Sequence, residues 1–146
     1  MPTTNVYLNF DGNCEEAFNF YKSVFGIEFS HISRLSDMPG NDDQQLPDSA
    51  KNQIMHVALN IGSSLLMGSD CGPEWSPNYQ QGNNFSISVS ADSKDEADQL
   101  FASLSEGAKI TMPLENTFWG DYFGMLTDRF GVNWMVGYNE EENKNS

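Results

Sequence analysis

Two side chains of this sequence are the first candidates for proton chemistry, His56 and Asp70. Alternation over residues 54–61 places His56 on one face of a predicted strand, and Asp70 ends the predicted strand that follows. On a face that lines a ligand site, His56 acts as a base or a metal ligand, and Asp70 orients it. The other interpretation is a histidine hydrogen-bonded within a sheet, beside an ordinary strand-end acid. We expect His31, on another predicted strand, at the surface.

Cys14 and Cys71 are the only cysteines. The first five residues lack the basic and apolar regions of a secretory signal, and two cysteines without such a signal favour a reducing compartment. We therefore expect a cytoplasmic protein, with a Cys14–Cys71 disulfide as the open alternative. Cys14 begins a predicted helix, whose dipole can lower the pKa of a thiol, but we favour burial against the first strand over reactivity.

The net charge of the 146-residue chain is −14, from 21 acidic and 7 basic side chains. Such a surface repels a nucleic acid or an anionic membrane, so neither is an expected partner. No apolar run approaches the roughly 20 residues that a membrane span needs. The composition therefore directs attention to small-molecule roles.

The order strand, helix and three strands occurs twice along the chain. The first set comprises a strand over 6–10, a helix over 14–25 that Gly26 ends, and strands over 29–35, 54–61 and 65–70. The second comprises a strand over 85–90, a helix over 95–104 that Gly107 ends, and strands over 109–114, 122–127 and 132–138. The helices align at an offset of 80 positions, which pairs Ala17 with Ala97 and Tyr21 with Phe101. This internal duplication decides the prediction of the fold.

The stretch from Phe118 to Trp134 is rich in aromatic residues and glycine. Asp128 and Gly131 occupy the first and fourth positions where a type I turn prefers these residue types, which predicts a β-hairpin. The hairpin either fills a core or lines a ligand pocket. Residues 36–53 are predicted as a loop, which is either a lid or a surface insertion.

Residues 13–21, Ile54-Met55-His56, Thr117-Phe118-Trp119-Gly120 and residues 128–134 carry a resemblance that covers roughly positions 4 to 138. The chain resembles the PhnB-like branch of the glyoxalase/bleomycin resistance/dioxygenase (vicinal oxygen chelate) superfamily, often labelled 3-demethylubiquinone-9 3-methyltransferase-like. The resemblance implies an α+β fold, in which two tandem βαβββ modules form a cupped, barrel-like mixed sheet with helices outside. It also implies a homodimer.

The resemblance further implies one glyoxalase-like domain over residues 1–146. Its expected parts are module one over about 4–70, a linker over 71–83, module two over 84–138 and a disordered acidic tail over 139–146. The apolar sides of the first strand of each module should then meet the helices; these sides comprise Val6, Leu8 and Phe10 in module one and Phe85, Ile87 and Val89 in module two.

Metal-dependent members of this superfamily hold a divalent ion with His and Glu or related carboxylates. Carried over to this chain, the four ligand positions are Asn5 or Val6, Met67, Asn84 and Met135. Amide and thioether groups are poor ligands for such an ion, so we predict no metal at the usual site and no cofactor. A relocated site with His56, His31 and Asp70 is the open alternative. No G-x-G-x-x-G turn opens a helix, so we do not adopt the methyltransferase label.

The predicted function is the binding of a small organic molecule, without the usual divalent metal, in a dimeric cup. The residues expected to line this cup are Tyr7, Asn9, Ser86, Ser88, Trp119 and Tyr122. An acidic protein favours a cationic aromatic ligand. The alternative is a metal-dependent lyase, isomerase or dioxygenase-type enzyme with a relocated site, in which His56 and Asp70 are catalytic. A scaffold subunit without a ligand is a third interpretation.

Overall fold

The computed structural model describes residues 2–37, 52–71 and 79–139, and the chain divides into two compact units, Met1–Gln80 and Gln81–Ser146. We call these units module one and module two. Most of the predicted loop and linker, residues 38–51 and 72–78, lies outside the described residues, as do positions 140–146. The predictions of a lid and of a disordered tail therefore fall outside the described part of the chain.

Module one is a four-stranded mixed sheet with one long helix on one face. Its elements are β1 (Val6–Phe10), α1 (Cys14–Phe25), β2 (Phe29–Arg34), a short 3-10 turn (Leu35–Asp37), β3 (Ile54–Ile61) and β4 (Ser64–Asp70). The strand order is β1-β4-β3-β2, in which only β1 and β4 run parallel.

Module two repeats this topology. Its elements are β5 (Ile87–Ser90), α2 (Lys94–Leu104), β6 (Lys109–Asn116), β7 (Tyr122–Thr127) and β8 (Asn133–Tyr138). The strand order is β5-β8-β7-β6, and only β5 and β8 run parallel. The structure confirms the predicted α+β class and its two βαβββ modules. No helix in the described ranges is long and apolar enough to cross a membrane.

The core of module one forms where the apolar side of α1 meets the sheet. Leu8 and Phe10 are buried on this side, and the Phe10 ring lies 6.0 Å from the Phe18 ring, edge to face. The helix approaches closely because Gly68 has no side chain, since an added Cβ would lie 2.6 Å from the Phe18 ring. Burial of these aromatic side chains is the main stabilising contribution.

The equivalent helix positions are buried in module two, as the offset of 80 residues predicts. Ala17 and Ala97 are both fully buried, and Phe101 takes the place of Tyr21. Helix α2 ends at Leu104, as predicted, and begins at Lys94, one residue before the predicted start. At its end, the Ser105 hydroxyl and backbone N–H both donate to the Phe101 carbonyl oxygen.

Phe85 is the clearest error in the predicted strands. Strand β5 begins at Ile87, and the Phe85 side chain is 51% exposed rather than packed against a helix. The Asn133 side chain donates to the Phe85 carbonyl oxygen at 3.1 Å, so the backbone here is held by a side chain before the strand pairing with β8 starts. Ile87 and Val89 are half-buried and alternate with the exposed Ser88 and Ser90.

Candidate functional site

The face of the module-one sheet opposite α1 carries its chemically versatile side chains. Leu8 and Phe10 point to the helix, so the intervening Tyr7 and Asn9 point away from it. Tyr7 pairs with Met67, which pairs with Ala58, which pairs with His31. These registers form one cross-strand row on the outer face.

Three rings lie side by side on this face, and we call Tyr7, His56 and His31 the ring row. The Tyr7 and His56 ring centres are 5.9 Å apart, and those of His56 and His31 are 5.0 Å apart. His31 is exposed, as the sequence predicts, and its Nε2 atom lies 3.3 Å from the Ser33 hydroxyl. The two histidines belong to different strands, and the pairing of β2 with β3 brings their rings together.

Burial and the neighbouring imidazole both favour the uncharged form of His56. Partial burial is the larger effect and the charge on His31 the smaller, and together they lower the pKa of His56 below its ordinary value of 6.5. The His56 ring is therefore mostly neutral near pH 7. A neutral imidazole both donates and accepts a hydrogen bond, so this ring can bind a polar ligand atom or accept a proton.

Asp70 lies at the start of α1, on the helix side of the sheet, rather than beside the ring row. Its side chain is only 5% exposed. Oδ1 accepts a hydrogen bond from the Cys14 amide at 2.9 Å, and Oδ2 accepts one from the Ile54 amide at 2.8 Å. The structure thus places Asp70 where it caps a helix and joins two strands. No local pattern reveals this, because the carboxylate and the helix are 56 residues apart.

Cys14 occupies the first position of α1, where the helix dipole favours a thiolate. Burial nevertheless raises the pKa of the Cys14 thiol, and the Asp70 carboxylate raises it further. The expectation of a buried, unreactive Cys14 agrees with this placement. Both Cys14 and Cys71 are buried and carry free thiols.

Tyr122 points to the helix side of module two, so the expected orientation toward the ligand face is wrong. Its hydroxyl donates to the Asp98 carboxylate of α2, and the Lys94 ammonium lies 4.7 Å from its ring centre. The hydrogen bond to Asp98 is the largest cause that raises the pKa of Tyr122. Along β7, Gly124 and Leu126 share the helix side with Tyr122, and Phe123 and Met125 face the other way.

The remaining residues predicted to contact a ligand in module two are exposed. Ser88 lies on β5 opposite Met135 of β8, on the sheet face away from α2. Ser86 precedes the strand and is also exposed. Both hydroxyls are therefore accessible to a ligand.

Trp119 belongs to a short, well-fixed loop between β6 and β7. Its indole N–H donates to Asp121 Oδ2 at 3.0 Å, and the Asn139 side chain donates to the other oxygen of the same carboxylate. The Thr117 hydroxyl donates to the Asp121 carbonyl oxygen at 2.7 Å. The Trp119 ring is 49% exposed, and its centre lies 6.0 Å from that of the Phe123 ring. These contacts hold the exposed ring in one position.

The turn predicted between β7 and β8 is confirmed. The Gly131 amide donates to the Asp128 carbonyl oxygen at 2.9 Å, and Gly131 has a φ of +86°, which favours glycine. The Asp128 side chain, only 3% exposed, accepts hydrogen bonds from the Val132 amide and the Trp134 indole. Trp134 is almost fully buried, so this part of the aromatic hairpin fills the core of module two and does not line a pocket.

The residues at the usual metal positions do not fit a divalent ion. Met67 and Met135 offer only thioethers, and the Asn5 side-chain oxygen already accepts a hydrogen bond from the Leu65 amide at 3.0 Å. Within residues 2–37, 52–71 and 79–139, no three His, Cys, Asp or Glu side chains group as metal ligands do. The relocated set is not assembled, because Asp70 is on the opposite side of the sheet from His56.

Comparison with known proteins identifies the relatives of this chain. A family model described as 3-demethylubiquinone-9 3-methyltransferase matches residues 3–137. The crystal structure of protein PA1353 from Pseudomonas aeruginosa is 42% identical, with 95% of this chain and 98% of that chain covered and a TM-score of 0.81. Protein YjdN of Escherichia coli strain K12 is 32% identical, with 93% of this chain and 94% of that protein covered.

Two further solved structures place the fold. The PhnB protein from Bacillus cereus is 27% identical, with 94% of this chain and 99% of that chain covered and a TM-score of 0.72. A glyoxalase/bleomycin resistance protein/dioxygenase family enzyme from Burkholderia phytofirmans is 18% identical, with 92% and 98% covered and a TM-score of 0.61. The second likeness concerns the fold alone. Together these findings confirm the predicted PhnB-like branch and fold class.

Proposed function

Because the chain belongs to the 3-demethylubiquinone-9 3-methyltransferase family, with the glyoxalase/bleomycin resistance fold, we propose that it binds a small organic molecule without the usual divalent metal. The observation that carries this proposal is the ring row on the module-one sheet. Tyr7 is 44% exposed and His56 half-buried, so the rings are accessible and form a continuous aromatic and hydrogen-bonding surface.

The chemistry of the ring row defines the class of ligand. A planar ring can stack on the Tyr7 and His56 side chains, which are tilted by 43° to each other. The neutral His56 ring and the exposed Asn9 amide offer donors and acceptors for polar atoms on the ligand. The net charge of −14 raises the local concentration of cations. A flat aromatic cation is therefore the preferred ligand.

Module two carries the other residues that we propose as ligand contacts. We retain Ser86, Ser88 and Trp119 as ligand contacts, because their side chains are exposed and the Trp119 loop is fixed by hydrogen bonds. Tyr122 is left out because it contacts α2. The proposed cup belongs to a homodimer, which light scattering during size-exclusion chromatography would show as a mass of twice 16.3 kDa.

The methyltransferase activity in the family name is not part of this proposal. Fold and family do not decide a reaction, which depends on the chemistry of the site. The ring row offers binding groups and one neutral base, whereas the two βαβββ modules differ from the doubly wound sheet of Rossmann-type cofactor sites. A cytoplasmic location is also proposed, supported by the free thiols of Cys14 and Cys71.

The binding proposal is tested with three indoles that carry an aminoethyl, an ethyl or a propionate group and so differ mainly in charge. We expect the cationic indole to raise the melting temperature most, because a ligand that binds only the folded state stabilises it. Tyr7→Ala should abolish most of this shift. Tyr122→Ala is the matched control, since it removes the same side chain from the helix side of a sheet and should keep the shift.

A second measurement addresses the metal. Elemental analysis of untagged, unchelated protein should find far less than one equivalent of zinc, nickel, iron or manganese per chain. One equivalent that is lost in His56→Ala would overturn the metal-free proposal and favour an enzyme with a relocated site. No shift with any indole in the wild-type protein would count against an aromatic cation as the ligand.

A further inference from the structure

Three methionines lie in register on three adjacent strands of module two. Met112 of β6 pairs with Met125 of β7, and Met125 pairs with Met135 of β8. All three side chains are half-buried. We call them the thioether row; it continues on β5 to Ser88, which pairs with Met135.

The thioether row lies on the sheet face away from α2. Leu126 and Trp134, the neighbours of Met125 and Met135 along their strands, are each 1% exposed in the core. A Cβ added to Gly124 would lie 2.9 Å from the Phe101 ring of α2, so this neighbour also faces the helix. Alternation then directs Met125 and Met135 to the opposite face, and Met112 shares this face through its pairing with Met125. All three side chains are partly accessible there.

The three sulfur atoms can converge on one point. Residues paired directly across strands have Cβ atoms about 4.5 to 5.5 Å apart, so Met125 is adjacent to both of the others. Methionine has three rotatable bonds in its unbranched side chain, and the outer two side chains can therefore lean over the central one. Met112 lies between two register shifts in the β6–β7 pairing, which gives its strand local freedom to adjust.

Three thioethers form a soft and uncharged donor set. Such ligands select copper(I), whereas hard or borderline divalent ions prefer carboxylates and imidazoles. Unlike thiols, thioethers need no deprotonation to bind a metal, so the site works at any physiological pH. We propose that the thioether row binds one copper(I) ion, a site that is independent of the ring row in module one.

The cysteines are poor competitors for this ion in the folded chain. Cys14 and Cys71 are both buried and belong to module one. Burial and the Asp70 carboxylate disfavour the Cys14 thiolate, which is the form that binds a metal. The acidic surface, with a net charge of −14, favours any cation near the sheet.

The test uses silver(I) as an air-stable probe with the same charge and the same soft character as copper(I). The full chain is labelled with ¹³C in the methionine methyl groups, and silver(I) is titrated to one equivalent while NMR spectra are recorded. We expect the methyl signals of Met112, Met125 and Met135 to shift and those of Met55 and Met67 to stay unchanged. Anaerobic competition with a colorimetric copper(I) chelator then gives the affinity for copper(I) itself.

Two matched variants assign the site. M112L/M125L/M135L keeps the apolar volume and removes the row, and M55L/M67L removes two thioethers of module one. Since even indirect changes around a metal cost about 10- to 100-fold in affinity, the triple variant should bind copper(I) at least that much more weakly. The double variant should bind like the wild-type protein.

The proposal fails if the triple variant keeps the affinity of the wild-type protein, or if silver(I) shifts the methyl signals of Met55 and Met67 as strongly as those of the row. It also fails if no methyl signal shifts, and the row is then an ordinary apolar surface. Should the triple variant not fold by circular dichroism, Met125→Leu alone decides the question by the same affinity measurement.

Discussion

The two modules share one topology but hold the start of their helices in different ways. In module one, Asp70 at the end of β4 accepts a hydrogen bond from the amide of Cys14, and the Asn13 side chain makes no capping hydrogen bond. In module two, the Ser93 hydroxyl accepts from the Glu96 amide at 3.0 Å, and Glu96 accepts from the Asp92 amide at 2.8 Å. One helix depends on tertiary structure, whereas the other is capped by its own sequence.

This difference makes the helix cap of module one part of its buried core. Asp70 connects α1, β3 and β4 through the Cys14 and Ile54 amides, which are both buried. The module-two cap connects residues within one turn and is exposed to water. Loss of the Asp70 hydrogen bonds should therefore destabilise all of module one. Loss of the Ser93 cap should destabilise only the start of α2.

The largest expected effect is that of Asp70→Ala. It leaves two buried amides without an acceptor, and we expect the free energy of unfolding to fall by about 2 to 5 kcal/mol. Ser93→Ala, the control, should cost about 1 kcal/mol. Urea unfolding measures both values, and hydrogen exchange at Cys14 and Ile54 should accelerate only in the first variant. Equal losses for the two variants would contradict the comparison.

Two glycines without room for a side chain give a second test, since Gly124 lies against the β6 backbone and Gly68 against α1. A Cβ added at Gly124 would lie 2.8 Å from the backbone of Leu114. A Cβ added at Gly68 would mainly contact the edge of the Phe18 ring. We expect Gly124→Ala to cost about 1 to 3 kcal/mol, and Gly68→Ala less, because a side chain yields more easily than a backbone.

Gly137→Ala is the control for both glycine variants, since its nearest neighbour would lie at an ordinary 3.4 Å. Its free energy of unfolding should stay close to that of the wild-type protein. A greater loss for Gly68→Ala than for Gly124→Ala would show that the Phe18 ring is held more firmly than the β6 backbone.

A smaller effect concerns the ion pair that joins α1 to β2. Arg34 donates to both carboxylate oxygens of Glu15, at 2.9 and 2.6 Å. The pair is partly exposed, so Glu15→Gln should cost only about 0.2 to 1 kcal/mol. The hydrogen bond to Arg34 is the main cause that lowers the pKa of Glu15 below its ordinary value of 4.5.

The sign of this contribution fixes its pH dependence. Because the pKa of Glu15 is lowered in the folded chain, the stabilisation is present above about pH 4.5 and is lost as the pH falls through the folded pKa. Urea unfolding of the wild-type protein and of Glu15→Gln should therefore differ at pH 7 and converge in acid. If the difference in the free energy of unfolding grew as the pH fell, the ion pair could not be its cause.

The smallest expected effect is a change in the titration of His56. NMR should give a pKa below 6.5 for this ring, and His31→Ala should raise it because a neighbouring positive charge is removed. Burial remains in the variant, so the pKa should stay below 6.5. In the wild-type protein, the stabilisation from the neutral ring is complete above about pH 6.5 and declines as the pH falls toward the folded pKa. An unchanged pKa of His56 in His31→Ala would show that the charge on His31 has no effect on His56.

Local signals explain which elements could be predicted. The bounds of α1, β3 and β7 agree with the sequence patterns, and the turn at Asp128 forms as predicted. Each of these depends on residues that are near in sequence: periodic apolar positions, a glycine in the left-handed region, an aspartate that accepts amides two and four residues ahead.

The errors share a different cause. On β7, Phe123 and Met125 face one way and Gly124 and Leu126 the other, so the apolar pattern does not say which face meets the helix. The orientation of Tyr122 follows only from its hydrogen bond to α2. Asp70 similarly reads as a strand-end acid until α1 is placed beside it.

The sequence by itself determined the duplicated strand and helix order, because hydrophobic periodicity and turn chemistry act over a few residues. It also determined the acidic surface and the mismatch with the usual metal ligands. Only the tertiary structure decided that His31 and His56 are neighbours, that three methionines share a row, and that Asp70 caps a helix. Those relations depend on strand register and helix placement, which bring together residues far apart in the chain and which no local pattern encodes.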